Sequence, residues 1–335
     1  MASSSRAATS GTTRKLAWLA AAVVLTVALY SGGWFYAAGW LRDRLAGRLD
    51  ASREQMVSLS CGDLSVRGFP FRIGVFCDTV GVDDRPSGLS ATFGALRSAA
   101  QVYRPGHAVL ELDGPAQVRV TPDRVFVADW SLMRASAVAW TDGLDRGSLA
   151  YDGLKGRLNA PSAGLSLGVS AAHGEAHLRR SGEALDAAGS AAGLALDVGG
   201  RVLPPLDAAV DMTIADAARW ISAEGPPEDA PYGVKLELRR LSLDLGGGRR
   251  AALSGPLTIG EDGFLSGTLD LDIEGVSAWR DRVVEAFPEV EETARRIAQA
   301  ILGLSGGRER AVVKLNLRDG TVYLGPFPIA FVPPI

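Results

Sequence analysis

Cys61, Cys77, His107, His173 and His177 are the only cysteines and histidines in the chain. They bound the thiol, metal and acid–base chemistry it can attempt. Between the cysteines runs Gly-Asp-Leu-Ser-Val-Arg-Gly-Phe-Pro-Phe-Arg-Ile-Gly-Val-Phe, with a tight-turn candidate at Gly68-Phe69-Pro70. A hairpin folded at Phe69 places Arg67 opposite Phe71, Ser65 opposite Ile73, Asp63 opposite Val75 and Cys61 opposite Cys77. Directly opposed residues have Cβ atoms about 4.5–5.5 Å apart, near the span of a disulfide. A structural Cys61–Cys77 bond is therefore expected. A redox pair would favour Cys-x-x-Cys spacing, and a zinc site wants four ligands with none of the histidines nearby.

His173-Gly-Glu-Ala-His177 lacks the His-Glu-x-x-His order of a zinc protease. On a strand, the two imidazoles share a face about 13 Å apart, too far for one zinc ion. They read as a solvated pair. His107 follows Pro105-Gly106 and opens a strand, a turn-proximal position. Gly164-Leu165-Ser166-Leu167-Gly168 matches Gly-x-Ser-x-Gly in letters but lies in an alternating strand run with no helix after it, so no nucleophile elbow is expected, and no phosphate loop occurs. Gly246-Gly247-Gly248 reads as a turn, and Asp270, Asp272 and Glu274 as the wet side of a strand. No catalytic set, metal site or cofactor site is expected.

The elements that must position these residues begin with an uncharged run, Leu16–Trp40, flanked by Arg14-Lys15 and Arg42-Asp43-Arg44. A bilayer core of roughly 30 Å takes about 20 apolar residues in a helix, which Leu16–Phe35 supplies. A cleaved signal peptide would be shorter and end in a small-x-small site. Here Tyr30, Trp34 and Tyr36 occupy that region, and Trp34, Phe35, Tyr36 and Trp40 read as an interfacial aromatic belt. The expectation is an uncleaved single-pass anchor. By the positive-inside bias, the N-terminus is cytoplasmic and the bulk lies across the inner membrane in the periplasm. That compartment is oxidising, which agrees with the disulfide.

Residues 1–15 read as a disordered cytoplasmic tail, 16–40 as the anchor, and 41–56 as a helix continuing from it through Leu41, Leu45, Leu49 and Met56. Residues 57–335 read as a β-rich domain with a candidate seam near 204–231. From Val57 the period changes to two, in runs such as His107–Leu112, Ala116–Val120 and Gly267–Ile273. Val312–Leu317 and Thr321–Leu324 are joined by an Asp319-Gly320 hairpin signal. Gly is high at 40 of 335 residues, as suits many turns. The fold class expected is mainly β with α: a long curved antiparallel sheet with a few amphipathic covering helices.

One covering helix is expected at Ile214–Ala223. The other is Ser277–Leu304, capped by Ser277, broken by Pro288, and carrying a stripe of Trp279, Val283, Phe287, Val290, Ala294, Ile297, Ile301 and Leu304. Leu206–Ile214 and Leu269–Val276 each deliver the chain to a Trp-containing helix, a faint internal repeat.

Cys61-Gly62-Asp63-Leu64, Gly68-Phe69-Pro70-Phe71, Cys77, Val102-Tyr103-Arg104-Pro105-Gly106-His107, Leu112-Asp113-Gly114-Pro115 and the ending Leu324-Gly325-Pro326 form one further pattern. With the anchor, it resembles the Gram-negative membrane-anchored domain-of-unknown-function family twenty-one twenty-five over nearly the whole length. That resemblance implies no activity and no catalytic residues. More loosely, the plan is similar to AsmA-like envelope proteins, which implies curved sheets with apolar grooves for lipid.

Net charge is −3, so nucleic acid is excluded as a partner. Hydrophobic residues make up 47% of the chain but aromatics only 7%, so Ala, Leu and Val supply the apolar surface. The expected function is non-enzymatic binding of lipid or apolar envelope components in a sheet groove. The alternatives are a scaffold module that holds an envelope protein and, more remotely, a hydrolase. The expected partners are the membrane itself and either lipid or an envelope protein.

Overall fold

A computed structural model of the chain describes residues 10–53, 56–121, 123–227 and 230–334. Helix α1 (Ser10–Arg53) is continuous, and over Thr13–Ser52 it is long and apolar enough to cross a membrane. The helix begins inside the tail that was expected to be disordered; residues 1–9 lie outside the described residues. The juxtamembrane helix is the same element, because no Gly-Pro break separates Trp40 from Leu41.

The rest is one antiparallel sheet. Its first strands come in end-to-end pairs: β1 (Val57–Gly62) with β2 (Ser65–Arg67), β3 (Arg72–Cys77) with β4 (Thr79–Asp84), and β5 (Leu89–Phe93) with β6 (Leu96–Gln101). The pattern continues in β7 (Arg104–Leu112) with β8 (Ala116–Thr121), and in β9 (Arg124–Asp129) with β10 (Leu132–Trp140). Two arms of ladder result, β2-β3-β6-β7-β10 and β1-β4-β5-β8-β9. Both arms pair with the long β11 (Gly143–Ala160), β10 along its first half and β9 along its second. The sheet continues through β12 (Leu165–Ser181), β13 (Ala184–Val198), the short β14 (Arg201–Val202) and β15 (Leu206–Ile214). Then follow β16 (Lys235–Asp244), β17 (Arg250–Ile259) and β18 (Leu265–Glu274).

Helices α2 (Val276–Ala286) and α3 (Glu291–Leu304) precede β19 (Arg310–Arg318), β20 (Thr321–Leu324) and β21 (Phe327–Phe331). β18 pairs with β19, and β19 leads through β20 to β21. The sheet does not close on itself: α1 lies along β1 and β2 at one end, and β21 is the other edge. β13 pairs with β15 across residues 204–205, so the ladder runs on through the first part of the candidate seam.

A break line crosses the first eight strand paths, and in the long strands β11 and β13 the apolar alternation changes phase there. In β11 the apolar positions are Gly147, Leu149 and Tyr151 before Gly153, and Leu154, Gly156 and Leu158 after it. In β13 they are Ala187, Gly189 and Ala191 before Gly193, and Leu194, Leu196 and Val198 after it. Gly153 and Gly193 have φ of 63° and 62°. One residue outside the extended conformation shifts the pleat by one place, which keeps the apolar residues on one side. The backbone at the line stays paired: Asp78 N–H donates to Gly62 O, Gly94 to Asp113 O and Ser131 to Asp152 O. The Trp130 indole closes the line by donating to Leu112 O at 2.7 Å.

Two helix expectations change. Ile214–Ala223 is the end of β15 followed by a single 3-10 turn, Ala218–Ile221, since so short a segment cannot repay helix nucleation. The strand-to-helix repeat is accordingly unequal, a 3-10 turn in one unit and α2 in the other. Pro288 does divide Ser277–Leu304, with Phe287 ending α2. Ser277 is not the cap. Gly275 holds that place at φ 75°, and Glu309 accepts from both the backbone N–H and the hydroxyl of Ser277. Gly306 and Gly307 close α3 by donating to Gly303 O and Leu302 O, a Schellman ending. The expected stripe is buried only in part: Trp279, Ile297 and Ile301 meet the core, together with Val276, Ala298 and Leu302, whereas Val283, Val290 and Leu304 are exposed.

Candidate functional site: an apolar sheet face sealed at one end

Residues paired across an antiparallel ladder share a face, and neighbours along a strand alternate. Following the register from β7 to β19 places Leu110, Ala135, Leu149, Ala176, Gly189, Val210, Leu241, Leu253, Leu271 and Val313 in one row. The row has no polar side chain. The adjacent row, on the opposite face, holds Glu111, Arg134, Ala150, Glu175, Ser190, Ala209, Ser242, Ala252, Asp272 and Val312.

Val313 is 5% exposed and its neighbour Val312 is 67% exposed, which identifies the covered face at the C-terminal end. There Ala298 and Ile301 of α3 join Leu238, Leu257, Leu269, Ile273, Val313 and Leu315 in one core, with Val210, Met212 and Leu241 at its margin. Burial of such side chains contributes about 1.5–3 kcal/mol each. Toward the N-terminal end of the row the environment changes. Leu110, Met133, Ala135 and Leu149 are only half-buried, and Leu178 is exposed. From Val57 to Gly200 the buried apolar residues are Cys77, five alanines and Leu185. Among the described residues no α-helix packs on this part of the face: the 3-10 turn Ala218–Ile221 meets β11 at its Gly143 end, α1 touches β1 and β2, and α3 touches β19.

Cys61 and Cys77 are joined by a disulfide with Cα atoms 5.2 Å apart. The expected register is wrong. β2 and β3 pair Ser65 with Phe76 and Arg67 with Gly74, because the loop is longer and Arg72 N–H closes it on Gly68 O. Cys61 pairs with Val80, and Cys77 with Leu96. The sulfurs meet across the break line, at the end of the line nearest α1.

The wet face carries the histidines. His173, Glu175 and His177 alternate along β12 and point the same way. Glu175 spans the gap between the imidazoles: Oε1 is 3.3 Å from His173 Nε2, and Oε2 is 3.2 Å from His177 Nε2. His173 Nδ1 meets Asp152 at 2.7 Å, and His177 Nδ1 meets the Ser148 hydroxyl at 3.0 Å. Asp152, then Glu175, raise the His173 pKa, while His177 and His173 lower that of Glu175. The spacing of the two imidazoles alone does not reveal this solvated chain as a unit. The signal was Glu175 halfway between them at strand spacing.

Ser148, His177 and Glu175 contain the residue types of a nucleophile, base and carboxylate. They border a recess of about 490 Å³ with Ala99 and Val109. Their strands are paired on both sides at these positions, so no backbone donor pair is turned toward Ser148 to hold an oxyanion. The His107 imidazole has no hydrogen-bond or ion-pair partner among the described residues, and its backbone pairs with Val138 in the ladder. Gly246–Gly248 is a turn as expected, and Asp270 and Asp272 face Lys314 and Arg310 across the ladder.

A second polar knot lies between β13 and β16. Arg239 is the extra residue of a bulge opposite Asp211 and Met212. It donates to Asp186, Asp211 and Thr213, and Asp186 also accepts from Arg179 and Thr213, each at 2.8 Å. Arg179, then Thr213 and Arg239, hold the Asp186 carboxyl well below the usual carboxylate range.

Residues 34–333 match the model of a family described as an uncharacterized protein conserved in bacteria (DUF2125). The chain belongs to that family. No curated protein and no solved structure matches it.

Proposed function

We propose that this member of the uncharacterized bacterial family is a single-pass inner-membrane protein whose periplasmic sheet shelters lipid acyl chains or another apolar envelope component. The observation that carries the reading is the apolar row from Leu110 to Val313, covered by α3 at one end and left without an α-helix at the other. Apolar surface of this extent, rimmed by polar residues, marks a binding surface more often than inert exterior. Arg14-Lys15 before the anchor and the Cys61–Cys77 bond after it support the orientation.

The protein is read as a binder and not an enzyme. What supports this is the environment of Ser148, which offers a base but no preorganised oxyanion donors. Ester hydrolysis that disappears in Ser148→Ala would overturn that part of the reading.

Mild-detergent purification of the full chain, followed by organic extraction and mass spectrometry, tests the lipid reading. Phospholipid is expected at a fixed ratio to protein after exhaustive washing. Its absence at any defined ratio would overturn the reading.

The second reading, a scaffold for an envelope protein, has one observation in its favour. The outer edge of β21 is unpaired among the described residues, and Phe327 and Phe331 are exposed there. Site-specific crosslinking from Phe331 in cells is expected to give one discrete partner on that reading; a featureless smear would sink it.

A further inference from the structure

The Gly68-Phe69-Pro70-Phe71 loop is docked on the apolar helix itself. The Tyr30 hydroxyl donates to Pro70 O at 2.5 Å, and the Trp34 indole donates to Arg72 O at 3.0 Å. Phe69 stacks on Phe35 at 5.3 Å between centroids and meets Trp34 edge-on at 5.5 Å. At 1.5 Å rise per residue, Tyr30 lies only about 8 Å inside the Phe35 end of the span. The loop is therefore held at the depth where headgroups meet acyl chains.

The neighbouring hairpin tips end nearly flush with this loop. Val102 N–H donates to Phe71 O at 3.1 Å, joining the β6–β7 tip to the first one. β10 pairs with β7 through Val138 and His107, and the Trp140 ring lies over Gly106, which has no side chain to displace it. Phe71 is 67%, Tyr103 69% and Trp140 66% exposed. Three large aromatic side chains on adjacent tips are thus turned to the outside beside a membrane span. Arg72 and Arg104 sit among them, whereas Arg67 is turned back along β2, donating to Ser65 with its guanidinium over the Phe76 ring; no acidic residue occurs in 64–77 or 95–110. The third tip also carries Asp142 and Asp145 beside Arg146.

We infer that these three tips form a second membrane contact, in which Phe69, Phe71, Tyr103 and Trp140 enter the outer-leaflet interface and Arg72 and Arg104 meet lipid phosphates. Tyr and Trp favour that depth, and a basic segment near an anionic surface adds to the attraction. The contact fixes the tilt of the sheet over the bilayer and keeps the β6–β11 end of the apolar face close to lipid. The inference rests on the anchor and not on lipid occupying the face.

The test uses the full chain in vesicles of phosphatidylcholine with a minor share of phosphatidylglycerol, with and without acyl chains brominated near the glycerol backbone. Bromine quenches tryptophan emission on contact. Trp140→Phe is expected to lose a share of the quenchable emission, and Tyr103→Trp in that background to restore it. Trp18→Phe, inside the span, reports the anchor separately. If Trp18→Phe lowers quenching while Trp140→Phe leaves it unchanged and Tyr103→Trp adds none, the tips stand clear of the bilayer and the inference is overturned. If Trp18→Phe also changes nothing, the anchor has failed and the inference fails with it.

Discussion

Cys61 and Cys77 are bonded across the line at which the sheet changes phase, although the ladder pairs them with Val80 and Leu96. Cys77 ends the row Ile73, Val75 and Cys77 on one side of the line, and Cys61 ends Leu59 and Cys61 on the other. The bond therefore fastens two arms of ladder to each other, next to the long apolar helix α1.

That position makes a prediction. Closing a loop of this length stabilises a fold by about 3 kcal/mol in the chain-entropy account. Cys61→Ser, Cys77→Ser and the double variant should lose the same amount of that order in denaturant unfolding of the detergent-purified chain. Additive losses would show that the two side chains act separately.

Asp186 is the most strongly perturbed carboxylate of the wet face, and its side chain is 14% exposed. Its pKa is depressed in the fold, so its contribution is present above the unfolded carboxylate pKa of about 3.9 and is lost as pH falls through the folded value. Asp186→Asn should cost about 1.5–3 kcal/mol at neutral pH, the range for hydrogen bonds to a charged group. The difference from the parent should shrink in strong acid. An unfolding series against pH checks this, and a pH-independent difference would contradict it.

His173 lies between Asp152 and Glu175, and both raise its pKa. Its imidazole should titrate above the ordinary value of about 6.5 in an NMR pH series, and Asp152→Asn should bring it down. Because the folded value is raised, the stability this group adds is complete below the unfolded pKa and fades as pH rises through the folded one. A His173 titration unmoved by Asp152→Asn would contradict the assignment.

Much of this was legible in the residues. Alternation from Val57 onward announced the sheet, and Asp319-Gly320 announced the β19–β20 hairpin. The uncharged run Leu16–Trp40 announced the long helix. The break line was not read, because a phase change looks like the end of one strand and the start of another. Gly153 and Gly193, single glycines inside long apolar alternations, were its signal. The disulfide was anticipated through a register that proved wrong: a hairpin folded symmetrically about Phe69 ignores the length of the loop that Arg72 closes. Which part of the apolar face α3 covers depends on contacts between segments far apart in the chain, and periodicity within each segment carries no information about them.

The uncovered part of that face is where lipid would lie. The most direct measurement places a photoreactive benzoylphenylalanine at Leu149 on the apolar face, or at Val109 on the wet face, in the full chain in native membranes. After irradiation, mass spectrometry should find phospholipid adducts from position 149 and none from 109. Adducts from neither position, or equally from both, would contradict an apolar face that holds lipid.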